Sequence, residues 1–273
     1  MLLVLFGALL HAGWNALVKS GADKLLDMAL IVAGTAVVAA VALPFLPPPA
    51  RESWPYLAVS GCLHVTYFAL VAAAYRAGDM SLAYPLMRGT PPLAVALLGN
   101  LLLGEYLGAL GWAGVALISA GVLAMALKRG AAAQARPILL ALANAVVIAG
   151  YTLLDGLGAR ASGAPIAYAL WTFLLAGLGL LPLVAWRRPG LLVPHLRAKW
   201  RIGALAATGT IGSYALALWA MTVAPIAAVA ALRETSILFG VVIATIVLRE
   251  VPTATRLAGA ALVAVGAACL RLA

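Results

Sequence analysis

The chain reads as an all-α membrane protein: ten transmembrane helices arranged as two inverted five-helix repeats around a central cavity. Three observations predict this. The 273 residues are 65% hydrophobic and only 10% charged, with a mean hydropathy of +1.09. A water-soluble domain of this size cannot hide that much apolar surface. Ten stretches approach the roughly 20 apolar residues needed to cross about 30 Å of hydrocarbon: 2–19, 27–46, 54–75, 80–103, 106–127, 137–157, 164–186, 202–222, 226–248 and 253–272. Finally, the two halves align without gaps at an offset of 145 residues.

That offset places Arg88 on Arg233, Thr90 on Thr235, Leu93 on Leu238, Leu103 on Leu248 and Glu105 on Glu250. It also places Gly114 on Gly259 and Gly121 on Gly266 within a run of Ala and Leu matches. The Arg, Glu and Gly identities are the informative ones, because Ala and Leu recur by chance in apolar helices. Each half has five spans, an odd number, so equivalent helices cross in opposite directions. Inverted five-plus-five repeats are associated with alternating access, with the substrate site between the repeats near the midplane. The repeats are expected at 1–130 and 135–273, with KRGAAAQAR (128–136) as the hinge between them.

Connections between spans are short, so any activity must lie among the helices. Cys62 and Cys269 fall inside apolar spans and suggest neither a disulfide framework nor a metal cluster. The first span is apolar from Met1 with no basic region before it, so it is expected to be retained rather than cleaved. The formal charge of +10 is a topology signal rather than a nucleic-acid footprint. Apart from Arg88 and Arg233, sixteen Lys and Arg remain, and thirteen lie on the face carrying the loops after spans 1, 3, 5, 7 and 9. Only Arg51, Arg160 and Arg271 lie on the other. The positive-inside rule makes the first face cytoplasmic and puts both termini outside. A multi-pass protein of the inner (plasma) membrane is expected, and its basic face suits anionic lipid headgroups.

Span 1 carries His11, Trp14, Asn15 and Lys19 at spacings of three and four, which put them on one helical face. Polar groups in hydrocarbon need partners, so this face should point into the bundle. Span 2 is almost devoid of polar chemistry and reads as a packing or lipid-facing helix. Span 3 brings His64 and Tyr67, and span 4 brings Tyr84 and Arg88 in AYPLMRGTPP. Pro91 and Pro92 lack the amide protons that would bond the carbonyls of Met87 and Arg88, so the helix should break beside a buried charge. Span 5 is rich in small residues suited to close packing. Span 6 carries Tyr151 and Asp155, span 7 is largely apolar with Tyr168 and Trp171, and span 8 carries Tyr214 and Trp219. Span 9 holds Arg233 and Glu234, and span 10 again has paired glycines.

HAGWNALVKSG, AYPLMRGTPPLAVALLGNLLLGE, AGYTLLDGLG and LRETSILFGVVIATIVLRE resemble the EamA-type branch of the drug/metabolite transporter superfamily, and the resemblance follows both halves. It implies a ten-helix permease with a cavity lined by helices 1, 3, 4, 6, 8 and 9, and with helices 5 and 10 at the periphery. The family includes exporters of amino acids and other metabolites, sugar-phosphate and nucleotide-sugar carriers, and drug exporters. Its members are usually placed with both termini in the cytosol, the reverse of the charge count. Its small four-helix relatives use a glutamate in the first span, whereas span 1 of this chain has no carboxylate.

The function expected from this is secondary transport, in the export direction, of a small polar metabolite such as an amino acid or another anionic or zwitterionic compound. His11, Trp14, Asn15, His64, Tyr67, Tyr84, Arg88, Tyr151, Tyr214, Trp219 and Arg233 are the candidate cavity residues. Lys19, Asp155 and Glu234 are the candidate gate residues. Arg233 would pair with Asp155 or Glu234 at the outer level, and Arg88 would lie with Lys19 at the inner one. Against this stands a static buried ion pair that fixes helix register. His11 and His64 are the candidates for proton coupling. The alternatives are proton-coupled efflux of cationic drugs through Asp155 or Glu234, and an intramembrane enzyme. For the latter the sequence has no HExxH site, aspartate-rich motif or paired catalytic carboxylates. No cofactor, metal or nucleic-acid partner is expected. The partners are a small-molecule substrate and the bilayer, and both a monomer and a homodimer fit.

Overall fold

Hydrocarbon offers no partner to a free amide or carbonyl, so a chain this apolar must satisfy its backbone within its own helices. A computed structural model describes residues 1–18, 23–78, 80–125, 135–246, 249 and 251–273, with the side chains of 15–18, 80 and 81 set aside. Every regular element among these residues is helical. In the first half they are α1 (Leu2–Val18), α2 (Lys24–Ala42), α3 (Trp54–Ala77), α4 (Met80–Gly89), α5 (Pro91–Leu103) and α6 (Ala109–Ala124). In the second they are α7 (Ala135–Ser162), α8 (Pro165–Arg187), α9 (Leu192–Val223), α10 (Ile226–Arg233), α11 (Ser236–Ile246) and α12 (Ala254–Leu272).

Eight helical stretches are long and apolar enough to cross a membrane, counting Leu82–Leu103 and Ile226–Ile246 as single stretches. The remaining apolar helices, α1 and α6, have 17 and 16 residues. At 1.5 Å per residue each is about 25 Å long, a little short of the hydrocarbon thickness. Much of the expected hinge, together with Lys19, Glu250 and the side chain of Asn15, lies outside the described residues; its last two residues, Ala135 and Arg136, begin α7.

Two spans are broken, and the breaks fall at the aligned motifs. Span 4 stops at Gly89 and restarts at Pro91, with Thr90 between. Span 9 stops at Arg233 and restarts at Ser236, with Glu234 and Thr235 between. Thr90 and Thr235 are partners under the 145-residue offset. The first break has a covalent cause in the two prolines. The second has none, since residues 234–237 read Glu-Thr-Ser-Ile. There Thr235 turns its hydroxyl back to donate to Leu232 O at 2.6 Å, a local bond that competes with the helix ladder.

The glycines of α6 and α12 bring two backbones into close approach. A Cβ on Gly121 would stand 2.6 Å from Gly259 O, and one on Gly114 would stand 2.8 Å from Gly266 O. Seen from the other helix, Gly259 faces Gly121 O at 2.5 Å and Gly266 faces Gly114 O at 2.7 Å. The register runs in opposite senses along the two helices, so they cross antiparallel. Elsewhere α3 packs on α7 and α1 on α9, α2 lies on α8 and α9, and α5 meets α10.

Candidate functional site

The two broken spans meet. Arg88 Nη2 lies 3.0 Å from Glu234 Oε1, and both side chains are buried. The sequence reading put Arg88 at an inner level and Glu234 at an outer one; the structure brings them together. Each break lies about eight residues, or roughly 12 Å, into its span, so spans entering a roughly 30 Å core from opposite faces would bring their breaks within about 6 Å, a gap that two long side chains bridge. Among the described residues, Arg88 Nε and Glu234 Oε2 are buried without a hydrogen-bond partner, as is Trp14 Nε1 of α1.

Arg233 does not take the place expected for it beside Asp155 or Glu234. Its guanidinium lies over the Tyr214 ring, 5.2 Å from the centroid. The Tyr214 hydroxyl in turn donates to Asp155 Oδ2, and Tyr168 donates to Asp155 Oδ1 at 3.0 Å. Asp155 is 0% exposed, so its charge is held by two phenol donors rather than by a facing cation at the bundle's mouth. Tyr168 is the residue sequence reading missed in this group. Its signal was Gly158: α7 has no room for a Cβ there against the Tyr168 phenol.

Aromatic rings fill the space around these charges. His64 lies 4.4 Å from the Tyr151 ring and 6.0 Å from Tyr214, while Tyr67 is 5.9 Å from Tyr151 and Phe173 is 5.4 Å from Tyr214. His64 Nδ1 lies 3.0 Å from Ser60 O and 3.2 Å from the Ser60 hydroxyl, one turn back on α3. Tyr84, Tyr67 and Tyr151 all stand within electrostatic range of Arg88. His11, stacked edge-on to Trp14 at 5.0 Å, feels both Arg88 and Arg233. Of the candidates with described side chains, Trp219 alone is elsewhere. It is 41% exposed, on the outward stripe of α9 with Leu205 and Val223.

Ionic contacts tie the halves at both ends of the bundle. On the face carrying the termini, Arg160 at the end of α7 lies 2.6 Å from Glu105 Oε1, an ion pair outside hydrogen-bond geometry. Arg160 also donates to Met221 O at 2.7 Å and Ala224 O at 2.9 Å. Glu105 Oε2 accepts the Ile226 amide at 2.8 Å. A carboxylate from the first half thus sits at the N-terminus of α10, where helix dipole and free amide favour it. On the basic face Asp23 takes Arg188 at 3.3 Å. Asp27, which is also buried, takes His195 at 3.0 Å and Lys199 at 3.1 Å. Span 2, expected at 27–46 to be nearly free of polar chemistry, therefore begins at a buried working carboxylate, Asp27, with a second, Asp23, capping its helix. Thiols play no visible part: Cys62 is exposed and Cys269 is half-buried, and neither forms a disulfide.

The arrangement is a buried, charge-balanced, aromatic-walled centre at the meeting of two broken membrane helices, with charged ties at either end. The sequence profile of the EamA-like transporter family matches residues 135–272. A search among curated proteins gave no match. Among solved structures, one protein known from a crystal structure aligns with a TM-score of 0.78 at 18% identity, over 99% of this chain and 94% of its own; at that identity the likeness concerns the fold. The family match spans half of the sequence, and the multi-pass helical architecture agrees with it. This chain belongs to the EamA-like transporter family, a family of multi-pass membrane transporters of the drug/metabolite superfamily.

Proposed function

We propose that this protein is a secondary transporter that exports a small anionic or zwitterionic metabolite, such as an amino acid, across the inner membrane. Transport proceeds by alternating access between two inverted five-helix repeats, near 1–130 and 135–273. The observation that carries the substrate class is the Arg88–Glu234 pair with one unsatisfied atom on each partner. Arg88 Nε–H offers a charged donor for a carboxylate, and Glu234 Oε2 offers an acceptor for an ammonium. A zwitterion completes both, and Trp14 Nε1 supplies a further donor.

The packing supports the repeat. Under the 145-residue offset the Gly114–Gly266 contact maps onto Gly259–Gly121, and each is found. The partners α3 with α7 and α1 with α9 exchange in the same way. Such self-mapping contacts are what a two-fold axis in the membrane plane requires. The ionic ties at the two ends are then the doors: Glu105–Arg160 on the terminal face, and the Asp23 and Asp27 contacts on the basic face. Asp155 and Glu234 serve inside the bundle, the first fixing Tyr214 beneath Arg233 and the second balancing Arg88.

Exchange of labelled amino acids across proteoliposomes tests the reading. Hydrogen bonds to a charged group contribute about 1.5–3 kcal/mol, so Arg88→Gln should raise the half-saturating concentration roughly 10- to 100-fold. Exchange that is unaltered by Arg88→Gln would remove the pair from substrate recognition.

A further inference from the structure

Away from the centre, the basic face carries a small, shallow cleft between α2, α3 and α8. Its walls include Leu25, Ala69, Leu180 and Leu183, and Arg76 and Arg187 complete the lining. Each arginine stands in the last turn of its helix, α3 and α8 respectively, and is exposed. The neighbouring carboxylates are already engaged: Asp23 with Arg188, and Asp27 with His195 and Lys199. Among the described residues Arg76 and Arg187 face no carboxylate within ion-pair distance. Arg187 instead lies 5.8 Å from the ring of Trp186, which is itself well exposed. Tryptophan beside a basic helix end is the usual furnishing of the headgroup level.

We propose that this cleft is a binding site for an anionic glycerophospholipid, distinct from the path of the transported solute. Two guanidiniums from different helices hold the headgroup phosphate through charge-assisted hydrogen bonds. The exposed Ala69 and half-buried Leu25 and Leu183 lie beside the glycerol and first acyl carbons at the surface, over a floor closed by the buried Leu180. The site joins α2 and α3 of the first half to α8 of the second at the same end as the Asp23 and Asp27 contacts. An occupying lipid therefore adds a non-covalent tie between the halves on that face.

The test uses the full-length protein in detergent, with thermal unfolding followed as short-chain phosphatidylglycerol, short-chain phosphatidylcholine or inorganic phosphate is added. A ligand that binds the folded state raises its stability. Phosphatidylglycerol should stabilise the wild type, and the other two should not. Each arginine near an anionic lipid contributes about five-fold in affinity, so Arg76→Gln/Arg187→Gln should weaken the effect about 25-fold. Arg197→Gln/Arg201→Gln, with the same loss of charge elsewhere on the basic face, should leave it within about two-fold. Ala69→Phe keeps every charge and fills the cleft, and it should also abolish the effect, which guards against a double variant that does not fold. Equal stabilisation by phosphatidylcholine would overturn the proposal. So would an equal effect of free phosphate, equal loss in both double variants, or a full response in Ala69→Phe.

Discussion

Replacing Glu234 by Gln leaves the Arg88 guanidinium buried at 9% exposure without its counter-charge. At 3.0 Å and an effective dielectric constant of about 20, the direct attraction is roughly 5 kcal/mol. Most of it only offsets the cost of taking both ions out of water. Removing one partner of such a pair typically costs about 3–5 kcal/mol, whereas replacing both by apolar residues of similar size is close to neutral or stabilising. Glu234→Gln and Arg88→Met should therefore each lose about 3–5 kcal/mol. Arg88→Met/Glu234→Met should unfold within about 1 kcal/mol of the wild type. Denaturant unfolding of the purified protein in detergent, read as a double-mutant cycle, gives the coupling directly. The same double variant should be well folded and inactive in proteoliposome exchange, which separates a recognition role from a structural one. Additive losses, with a coupling below about 0.5 kcal/mol, would refute the pairing. A folded double variant that transports like the wild type would refute its function.

The other expected outcomes concern packing and the two ends of the bundle. Gly121→Ala drives a methyl to 2.6 Å from Gly259 O and should cost about 1–3 kcal/mol. Gly13→Ala meets nothing within 4 Å and should stabilise α1 by about 0.5–1 kcal/mol; unfolding midpoints of opposite sign check the contrast. Asp155→Asn offers one carbonyl oxygen to two phenols and should lose about 1.5–3 kcal/mol. An unfolding midpoint equal to that of the wild type would show the two tyrosine bonds to be dispensable. Glu105→Gln removes the charge that holds Arg160 and caps α10. In a background without Cys62 and Cys269, a cysteine at Ala224 should then react faster with a water-soluble maleimide, and an unchanged rate would make the contact a rivet rather than a door.

Some of this was legible in the residues because the signal was redundant. The matched Arg88 and Arg233 and the prolines after Arg88 locate the two breaks, and the glycine pairs locate the closest crossing. Depth along one helix is equally readable, but partnership across helices is not. Arg88 and Glu234 look well separated when each is counted from its own end, yet the packing of the two broken spans brings them together. Facing was the weaker inference in the apolar helices. Trp219 follows Ser213 and Tyr214 by six and five residues, so at 3.6 residues per turn it lies well round the helix from their buried face, and it turned outward. Tyr168 turned inward because Gly158 leaves room for its phenol, a reciprocal fit that neither helix displays alone. Arg160 counts in the sequence as one charge in a topology tally. Its bonds to the carbonyls of Met221 and Ala224 depend on where the end of α9 lies in space.

The central claim is that a charged pair between two broken helices recognises a small zwitterion or anion that the protein carries across the membrane. Counterflow in proteoliposomes addresses it most directly, with unlabelled solute inside, labelled solute outside, and a panel of amino acids and small organic anions. The account requires saturable uptake of at least one such solute by the wild type, and its disappearance in the folded Arg88→Met/Glu234→Met variant. No counterflow of any panel member by folded wild-type protein, or equal uptake by the double variant, would contradict it.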